Sequence, residues 1–91
     1  MLESKIESAS AKEAKRHGWW GIKFLSTLFK GLPDRLFVGH GVVVFIEYKQ
    51  PGKLPTKLQS KVHEMFKQHG IKVYIAHSVN ETMEILNNAI N

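Results

Sequence analysis

A carboxylate and an ammonium stand at the end of the most apolar run in the chain. Glu47 follows five apolar residues at 42–46, and Lys49 lies two positions further on. Because side chains alternate between the faces of a strand, Glu47 and Lys49 leave the same face and Tyr48 leaves the other. Burying such charges is costly unless they pair with each other or bind a metal ion. An isolated E-x-K is also typical of a simple ion pair at a strand end, so both interpretations stay open.

Asp34 favours the metal interpretation. It lies just before a short apolar strand, which a turn at 39–41 connects to the strand of Glu47. If that turn centres near His40, Asp34 lies opposite Glu47 across the hairpin and the two carboxylates approach each other. Neighbouring carboxylates repel, so a divalent cation that prefers oxygen ligands is their natural occupant. On its own, an aspartate after a proline is also common in turns.

The composition limits the kinds of site that the chain can build. It has no cysteine, which excludes disulfides and thiolate zinc sites. The five histidines show no metal-ligand spacing. Thirteen Lys and Arg residues face eight Asp and Glu residues, and the net charge of +5 favours a polyanionic partner, with nucleic acid as the first candidate.

The positive charge concentrates in the second half of the chain. Segment 49–72 carries six lysines and a single acid, Glu64. Lysine is a point charge that contacts phosphates rather than reading bases, so such a patch is typical of contacts to a nucleic-acid backbone. A solvated helix face that keeps a small protein soluble is the alternative.

Periodicity and stop signals predict the elements that must position these residues. The expected order is a helix at 2–17 that Gly18 ends, a strand at 20–26, strands at 36–38 and 42–46, a helix at 56–69, a strand at 71–76, and a last helix that Ser78 and Glu81 begin with a capping box. This order, α-β-β-β-α-β-α, predicts a single α/β domain over 1–91, with a mixed β-sheet flanked by helices. The 42–46 strand is apolar on both faces and is therefore expected to be central and buried.

Together these residues resemble a known nuclease pattern. The spacing P-D-x12-E-x-K of the PD-(D/E)XK nucleases is matched by Pro33, Asp34, Glu47 and Lys49. The surrounding residues narrow the resemblance, and they are Gly31, Arg35, Pro51, Gly52 and Gln59. The chain is similar to the VRR-NUC domain, the virus-type replication-repair nuclease, in its small stand-alone phage-like form. The resemblance covers nearly the whole chain and departs between residues 23 and 31, where the family has a loop rich in proline and glycine.

The resemblance implies a restriction-endonuclease-like core and hydrolysis of DNA phosphodiester bonds with Mg²⁺ or Mn²⁺. In such a site Asp34 and Glu47 hold the metal, and the backbone carbonyl of Tyr48 completes the protein ligands. Lys49 orients the attacking water or stabilises the transition state, and Gln59 lines the site. The substrate is expected to be selected by its structure, as in nucleases that act on Holliday junctions or flaps.

The family also places an acid on its first helix. Glu3 and Glu7 are four residues apart and share a face of the predicted helix, so either is a candidate to serve the metal. The residues expected to contact DNA are Arg35, Lys53, Lys57 and Lys61. Two other functions remain open at this point: a nucleic-acid-binding module without catalysis, and a protein-interaction domain built on segment 19–29.

The apolar segment between residues 19 and 29 predicts a homodimer. A 91-residue domain can hardly bury all the large apolar side chains of this segment in its own core. They are Trp19, Trp20, Phe24, Leu25, Leu28 and Phe29. A two-fold dimer would bury them and place two sites on one basic surface. The N-terminal residues lack the apolar stretch of a signal peptide, so a cytoplasmic protein is expected, in the host cytoplasm if the gene belongs to a phage or prophage.

Overall fold

The computed structural model describes residues 2–24 and 29–90. The elements follow the predicted order: α1 (Glu3–Arg16), β1 (Trp20–Lys23), β2 (Arg35–Gly39), β3 (Val42–Tyr48), α2 (Lys57–Gln68), β4 (Val73–Ala76) and α3 (Val79–Ala89). The α/β fold with a mixed sheet is thus confirmed. None of the helices within these described ranges has the length and apolar character needed to cross a membrane.

The four strands form one sheet in the order β1-β2-β3-β4. The first three are antiparallel neighbours, and β4 pairs parallel to β3 after a crossover through α2. β1 ends at Lys23 rather than at residue 26, and the last residues of the predicted strand lie outside the described ranges. β3 has a strand on each side, as predicted, but Val43 is 55% exposed because α2 covers only the later residues of that face.

The turn between β2 and β3 sets the register of the hairpin. Gly39 pairs with Val42, so His40 and Gly41 are the two turn residues, and both have positive φ angles of 51° and 78°. Two positive φ angles define a type I′ turn, whose twist matches the flanking strands. The strained His40 is held by a 2.9 Å hydrogen bond between its Nε2 and the His17 carbonyl oxygen. From this turn the pairing runs to Arg35 opposite Ile46, which brings the next two residues, Asp34 and Glu47, side by side as predicted.

One face of the sheet packs on α1 and α3 and forms the main core. The buried side chains of this core are Ile6, Ala14, Trp19, Phe37, Val44, Ile46, Tyr48, Ala76 and Leu86. A small polar cluster lies within it, where the hydroxyl groups of Tyr48 and Ser10 both lie 3.1 Å from Oγ1 of Thr82. Tyr48 therefore ties the end of β3 to both α1 and α3.

The opposite face of the sheet packs on α2 and is thinner. The ring of Phe66 in α2 packs edge-on against the ring of Phe45, with 5.2 Å between the ring centroids. The ring of Phe24 is parallel to that of Phe45, with 6.2 Å between their centroids. Phe45 and Glu47 alternate with the core residues of β3, so Glu47 and Lys49 share this α2 face. The candidate site thus lies between β3 and the first turns of α2.

The two adjacent tryptophans have opposite environments, which corrects the predicted apolar patch. Trp19 is 3% exposed and belongs to the core, whereas Trp20 is 67% exposed. Gly18, with a φ of 86°, ends α1 as predicted and turns the chain so that Trp19 enters the core. Phe24 is half-buried and Phe29 is exposed, while Leu25 and Leu28 lie outside the described residues.

We expect the two tryptophans to differ sharply in their contribution to stability. Trp19→Ala removes a fully packed ring and should lower the free energy of unfolding by about 3–5 kcal/mol. Trp20→Ala, the matched control, should change it by no more than about 0.5 kcal/mol at a protein concentration low enough to keep the chain monomeric. Urea denaturation of both variants measures the two values, and equal losses would contradict the placement of Trp19 in the core.

Candidate active site

Asp34 and Glu47 form a carboxylate pair at one end of the central hairpin. Asp34 precedes β2, and its Oδ2 accepts a 2.7 Å hydrogen bond from the backbone N–H of Tyr48. Glu47 is the second-last residue of β3 and is only 1% exposed. The E-x-K and P-D motifs, which are separate in sequence, are therefore joined by this hydrogen bond from the Tyr48 backbone to the Asp34 side chain.

The loop before Asp34 requires a glycine at position 31. Its φ is 89°, and a Cβ atom built on it would lie 2.8 Å from a methyl carbon of Val62 in α2. Both the left-handed backbone and the close approach exclude a larger residue. The loop that carries Asp34 therefore packs directly against α2, which also faces Glu47.

Electrostatics in the pair favour a cation. Burial, followed by the charge of Asp34, raises the pKa of Glu47 from 4.5 to about 8, although Lys49 opposes the shift. Burial also raises the pKa of Asp34, against the lowering effect of the Tyr48 N–H. Each carboxylate is thus disfavoured as an anion by loss of water and by acidic neighbours. A bound cation would relieve both effects.

The oxygen atoms present fit a hard divalent cation that keeps part of its water shell. Asp34 and Glu47 supply two carboxylates, and Oε1 of Glu47 is buried without a hydrogen-bond partner among the described residues. In the part of the chain that the structure describes, no three acidic, histidine or cysteine side chains converge into a protein cage. Mg²⁺ commonly uses one or two carboxylates plus waters and substrate phosphate, so a two-carboxylate site is sufficient for it.

Gln59 connects this pair to the start of α2. Its Nε2 donates a 2.8 Å hydrogen bond to Oε2 of Glu47. Its Oε1 accepts from the backbone N–H of Thr56 at 2.9 Å, and its own N–H donates to the Thr56 hydroxyl at 3.2 Å. This reciprocal capping box holds the amide of Gln59 in one orientation, with its NH₂ group towards Glu47.

Lys49 lies on the same face of the sheet as Glu47, as the alternation of side chains along β3 predicts. Its Nζ is 3.9 Å from Oε2 of Glu47, and its side chain is 12% exposed. Tyr48 lies between the two on the opposite face, with its ring in the core and its N–H on Asp34. The ammonium of Lys49 thus stands beside the carboxylate pair and is not fully removed from solvent.

The structure distinguishes the two acids of α1. Glu7 is buried in an ion pair, with Oε1 2.9 Å from Nε of Arg35 and 3.7 Å from Nζ of Lys23. Glu3 is half-buried. The charge of Glu7, followed by that of Glu3, contributes to the raised pKa of Asp34, and the charge of Glu3 also contributes to the raised pKa of Glu47. Both acids therefore add negative charge near the carboxylate pair, but Glu7 is in addition held by Arg35 and Lys23.

Arg35, which was expected to contact DNA, is largely enclosed by other parts of the protein. Its side chain is only 15% exposed, and besides Glu7 it donates to the Gly21 carbonyl oxygen at 3.2 Å. The guanidinium therefore joins α1 to β1 and β2. The remaining candidate DNA contacts, Lys53, Lys57 and Lys61, are exposed on the loop before α2 and on α2 itself.

Two features of this site were not predicted from the sequence. One is the Thr56 capping box, although the sequence carries its T-x-x-Q pattern before an apolar helix. The other is His63, which showed no ligand spacing but places its Nε2 4.0 Å from Oε1 of Glu47. Its signal was its position one helical turn after Gln59, which puts both residues on the sheet-facing side of α2.

Comparisons with known proteins agree with this geometry. No family model matches the chain. The phage protein named "Putative nuclease p44", from Acyrthosiphon pisum secondary endosymbiont phage 1, is 34% identical over 79 residues, which cover 86% of this chain and 85% of that protein. A solved structure described as "VRR_NUC domain" has a TM-score of 0.82 and 23% identity, and the match covers 93% of this chain and 94% of that chain. The phage relative is similar enough to share a family with this chain, and the solved structure shows the same fold.

We expect Glu47 to make the metal-free protein less stable as the pH rises. Because folding raises the pKa of Glu47 from 4.5 to about 8, the folded state keeps a proton that the unfolded chain releases in this interval. The free energy of unfolding should therefore fall between about pH 4.5 and pH 8. Glu47→Gln removes this titration, so in EDTA its melting temperature should exceed that of the wild type at pH 8 and match it near pH 4.5.

Thermal melts of both proteins in EDTA at several pH values measure this difference, and groups that do not interact with Glu47 cancel in the comparison. A difference in melting temperature that stays constant from pH 4.5 to pH 8 would contradict the raised pKa of Glu47.

Proposed function

Since the chain belongs to the virus-type replication-repair nuclease (VRR-NUC) family, we propose that it is a metal-dependent, structure-selective DNA endonuclease. The observation that carries this proposal is the pair of the half-buried Asp34 and the buried Glu47, with Lys49 and Gln59 beside it. A protein that only binds nucleic acid has no need to bury one carboxylate beside another. The proposed reaction is hydrolysis of a phosphodiester bond.

Mg²⁺ or Mn²⁺ is the proposed cofactor. Asp34 and Glu47 would hold it together with the backbone carbonyl of Tyr48, and the ion would lower the pKa of a bound water and neutralise charge on the phosphate. Of the two α1 acids, Glu3 is the better third carboxylate, because Glu7 is already paired with Arg35. We assign Glu7 the role of ordering Arg35 beside β2.

The remaining side chains of the site have distinct proposed roles. Lys49 would stabilise negative charge that develops on the phosphate and orient the attacking water, since its ammonium stands 3.9 Å from Glu47 and is partly open to solvent. Gln59 would fix the carboxylate of Glu47 through its 2.8 Å hydrogen bond. Both roles depend on α2 staying packed on β3.

The proposed DNA surface is the exposed lysine group of Lys53, Lys57 and Lys61. Lys57 and Lys61 are one helical turn apart on α2, whose first turn also supplies Gln59 to the site. Such ammonium groups contact phosphates without reading bases, which favours recognition of DNA by its shape. Holliday junctions or flaps are therefore the proposed substrates. The phage relative supports a phage- or prophage-encoded protein that acts in the host cytoplasm.

We also propose a homodimer, on a smaller set of apolar residues than the sequence indicated. Trp19 is excluded because it is in the core. Several other large apolar side chains on the described surface are exposed, among them Trp20, Phe29, Leu54, Leu58, Met65 and Ile71. Association of two copies would bury part of this exposed apolar area.

The nuclease proposal predicts cleavage that depends on both the metal and the carboxylate pair. With Mn²⁺, the wild type should cut a four-way junction or a flap faster than linear duplex of the same length, and EDTA should stop all cutting. Asp34→Asn and Glu47→Gln should each lower the rate roughly 1,000-fold or more, because each removes a metal ligand. Lys49→Ala should lower it roughly 100- to 1,000-fold while leaving Mn²⁺ affinity unchanged.

Lys15→Ala is the matched control, because Lys15 is exposed in the last turn of α1, outside the lysine-rich segment 49–72. It should cut at the wild-type rate. Wild-type-like cleavage by Asp34→Asn or Glu47→Gln would contradict the proposed site. Tight DNA binding without cleavage under all metal conditions would instead support the non-catalytic alternative.

The dimer proposal predicts a mass of twice 10.4 kDa by sedimentation equilibrium at tens of micromolar protein. Phe29→Glu should shift the equilibrium to the monomer, because it places a charge in an apolar contact. Lys30→Glu, a charge change at the neighbouring exposed position, should leave the dimer intact. A wild type that sediments as a monomer under these conditions would refute the dimer.

A further inference from the structure

Two buried polar atoms at the site face each other without forming a hydrogen bond. Oε1 of Glu47 and Nε2 of His63 are 4.0 Å apart. Within residues 2–24 and 29–90, these are the two buried side-chain polar atoms that lack a hydrogen-bond partner. Buried polar groups in folded proteins are almost always hydrogen-bonded, so a facing pair of unsatisfied atoms requires a functional explanation.

The two atoms are chemically complementary. A carboxylate oxygen accepts hydrogen bonds, and an imidazole that carries its proton on Nε2 donates one. At 4.0 Å the contact is too long for a hydrogen bond, but a movement of about 1 Å would bring it within range. The other oxygen of Glu47 is already fixed, since Oε2 accepts from Gln59 at 2.8 Å.

The helix that carries His63 contacts the strand of Glu47 through its side chains. Gln59 and His63 are one turn apart on the sheet-facing side of α2. Between them Val62 is 4% exposed, and one turn later Phe66 packs edge-on against Phe45. These contacts place the imidazole beside Glu47, so a small movement of the ring or of the helix would complete the contact.

The ring of His63 also borders solvent-accessible space. It lines a cleft of about 650 Å³ between α2 and β4, together with Ser60, Glu64 and Lys67. Its side chain is 14% exposed, whereas that of Glu47 is 2% exposed. The ring thus lies between the buried carboxylate and an open cleft.

We propose that His63 is a positioning residue for Glu47, which donates from Nε2 to Oε1 while Gln59 donates to Oε2. This inference rests on the proposed function, in which Glu47 is a metal ligand. Two donors from one helix would fix both oxygens of the carboxylate, and with them the direction in which Glu47 offers its lone pairs. Donors behind a metal ligand typically change metal affinity 10- to 100-fold when they are lost.

The test measures Mn²⁺ affinity by calorimetry on the full chain without DNA, so that catalysis plays no part. His63→Leu keeps the apolar packing and removes the donor, and it should weaken Mn²⁺ binding 10- to 100-fold. His63→Gln places an amide nitrogen where Nε2 stands and should stay within about threefold of the wild type. His63→Asn places its amide near the Nδ1 position instead and should behave like His63→Leu.

Matched controls separate positioning from a general effect on α2. His69→Leu changes an exposed histidine at the end of the same helix and should leave Mn²⁺ affinity unchanged. A melt of each variant reports whether it folds. If His63→Leu fails to fold, the comparison of His63→Gln with His63→Asn decides the question, because a purely structural role gives no reason for Gln to restore metal affinity and Asn to lose it.

The outcomes for the two proposals are distinct. Equal Mn²⁺ affinity of the wild type and Glu47→Gln would overturn the metal assignment itself. If Glu47→Gln loses Mn²⁺ and His63→Leu binds it like the wild type, only the role of His63 is overturned. Equal weakening by His63→Gln, His63→Asn and His63→Leu would also overturn it.

Discussion

The register of the β2–β3 hairpin places the carboxylate of Glu47, which is 1% exposed, next to that of Asp34. The architecture of this end of the domain depends on that arrangement. The type I′ turn at His40 and Gly41 fixes the register, so Asp34 and Glu47 emerge side by side. A slip by one residue would send Glu47 into the main core and Tyr48 to the other face. The turn is thus coupled to the chemistry of residues at the far end of the same strands.

Contacts with the three helices α1, α2 and α3 keep the two carboxylates in place. Tyr48 anchors the end of β3 to α1 and α3 through the hydroxyl cluster with Thr82, and its N–H holds Asp34. Gln59 holds Glu47 from the first turn of α2. The same residue closes the capping box of that helix, so one side chain serves both the stability of α2 and the orientation of a site carboxylate. The raised pKa of Glu47 shows that these contacts do not fully compensate for burial, which leaves a cation as the natural partner.

The element order and the central pair were predictable because their signals are local. The apolar run of β3, the turn residues and the spacing of P-D and E-x-K are each legible over a few positions, and strand alternation then fixes the face of Glu47 and Lys49. The environment of Trp19 was not predictable, since it depends on the direction the chain takes after Gly18. The ion pair of Arg35 was not predictable because its partner, Glu7, lies 28 residues away in sequence. His63 was missed for a related reason, because its relation to Glu47 appears only once α2 is docked on the sheet.

In the proposed site Asp34 and Glu47 together hold a divalent cation. Diffraction from crystals grown with Mn²⁺, with data collected near the manganese absorption edge, tests it directly. We expect one strong anomalous peak at about 2.1 Å from an oxygen of each carboxylate, a distance typical of hard six-coordinate ions. A strong peak elsewhere in the molecule with none between Asp34 and Glu47 would contradict it.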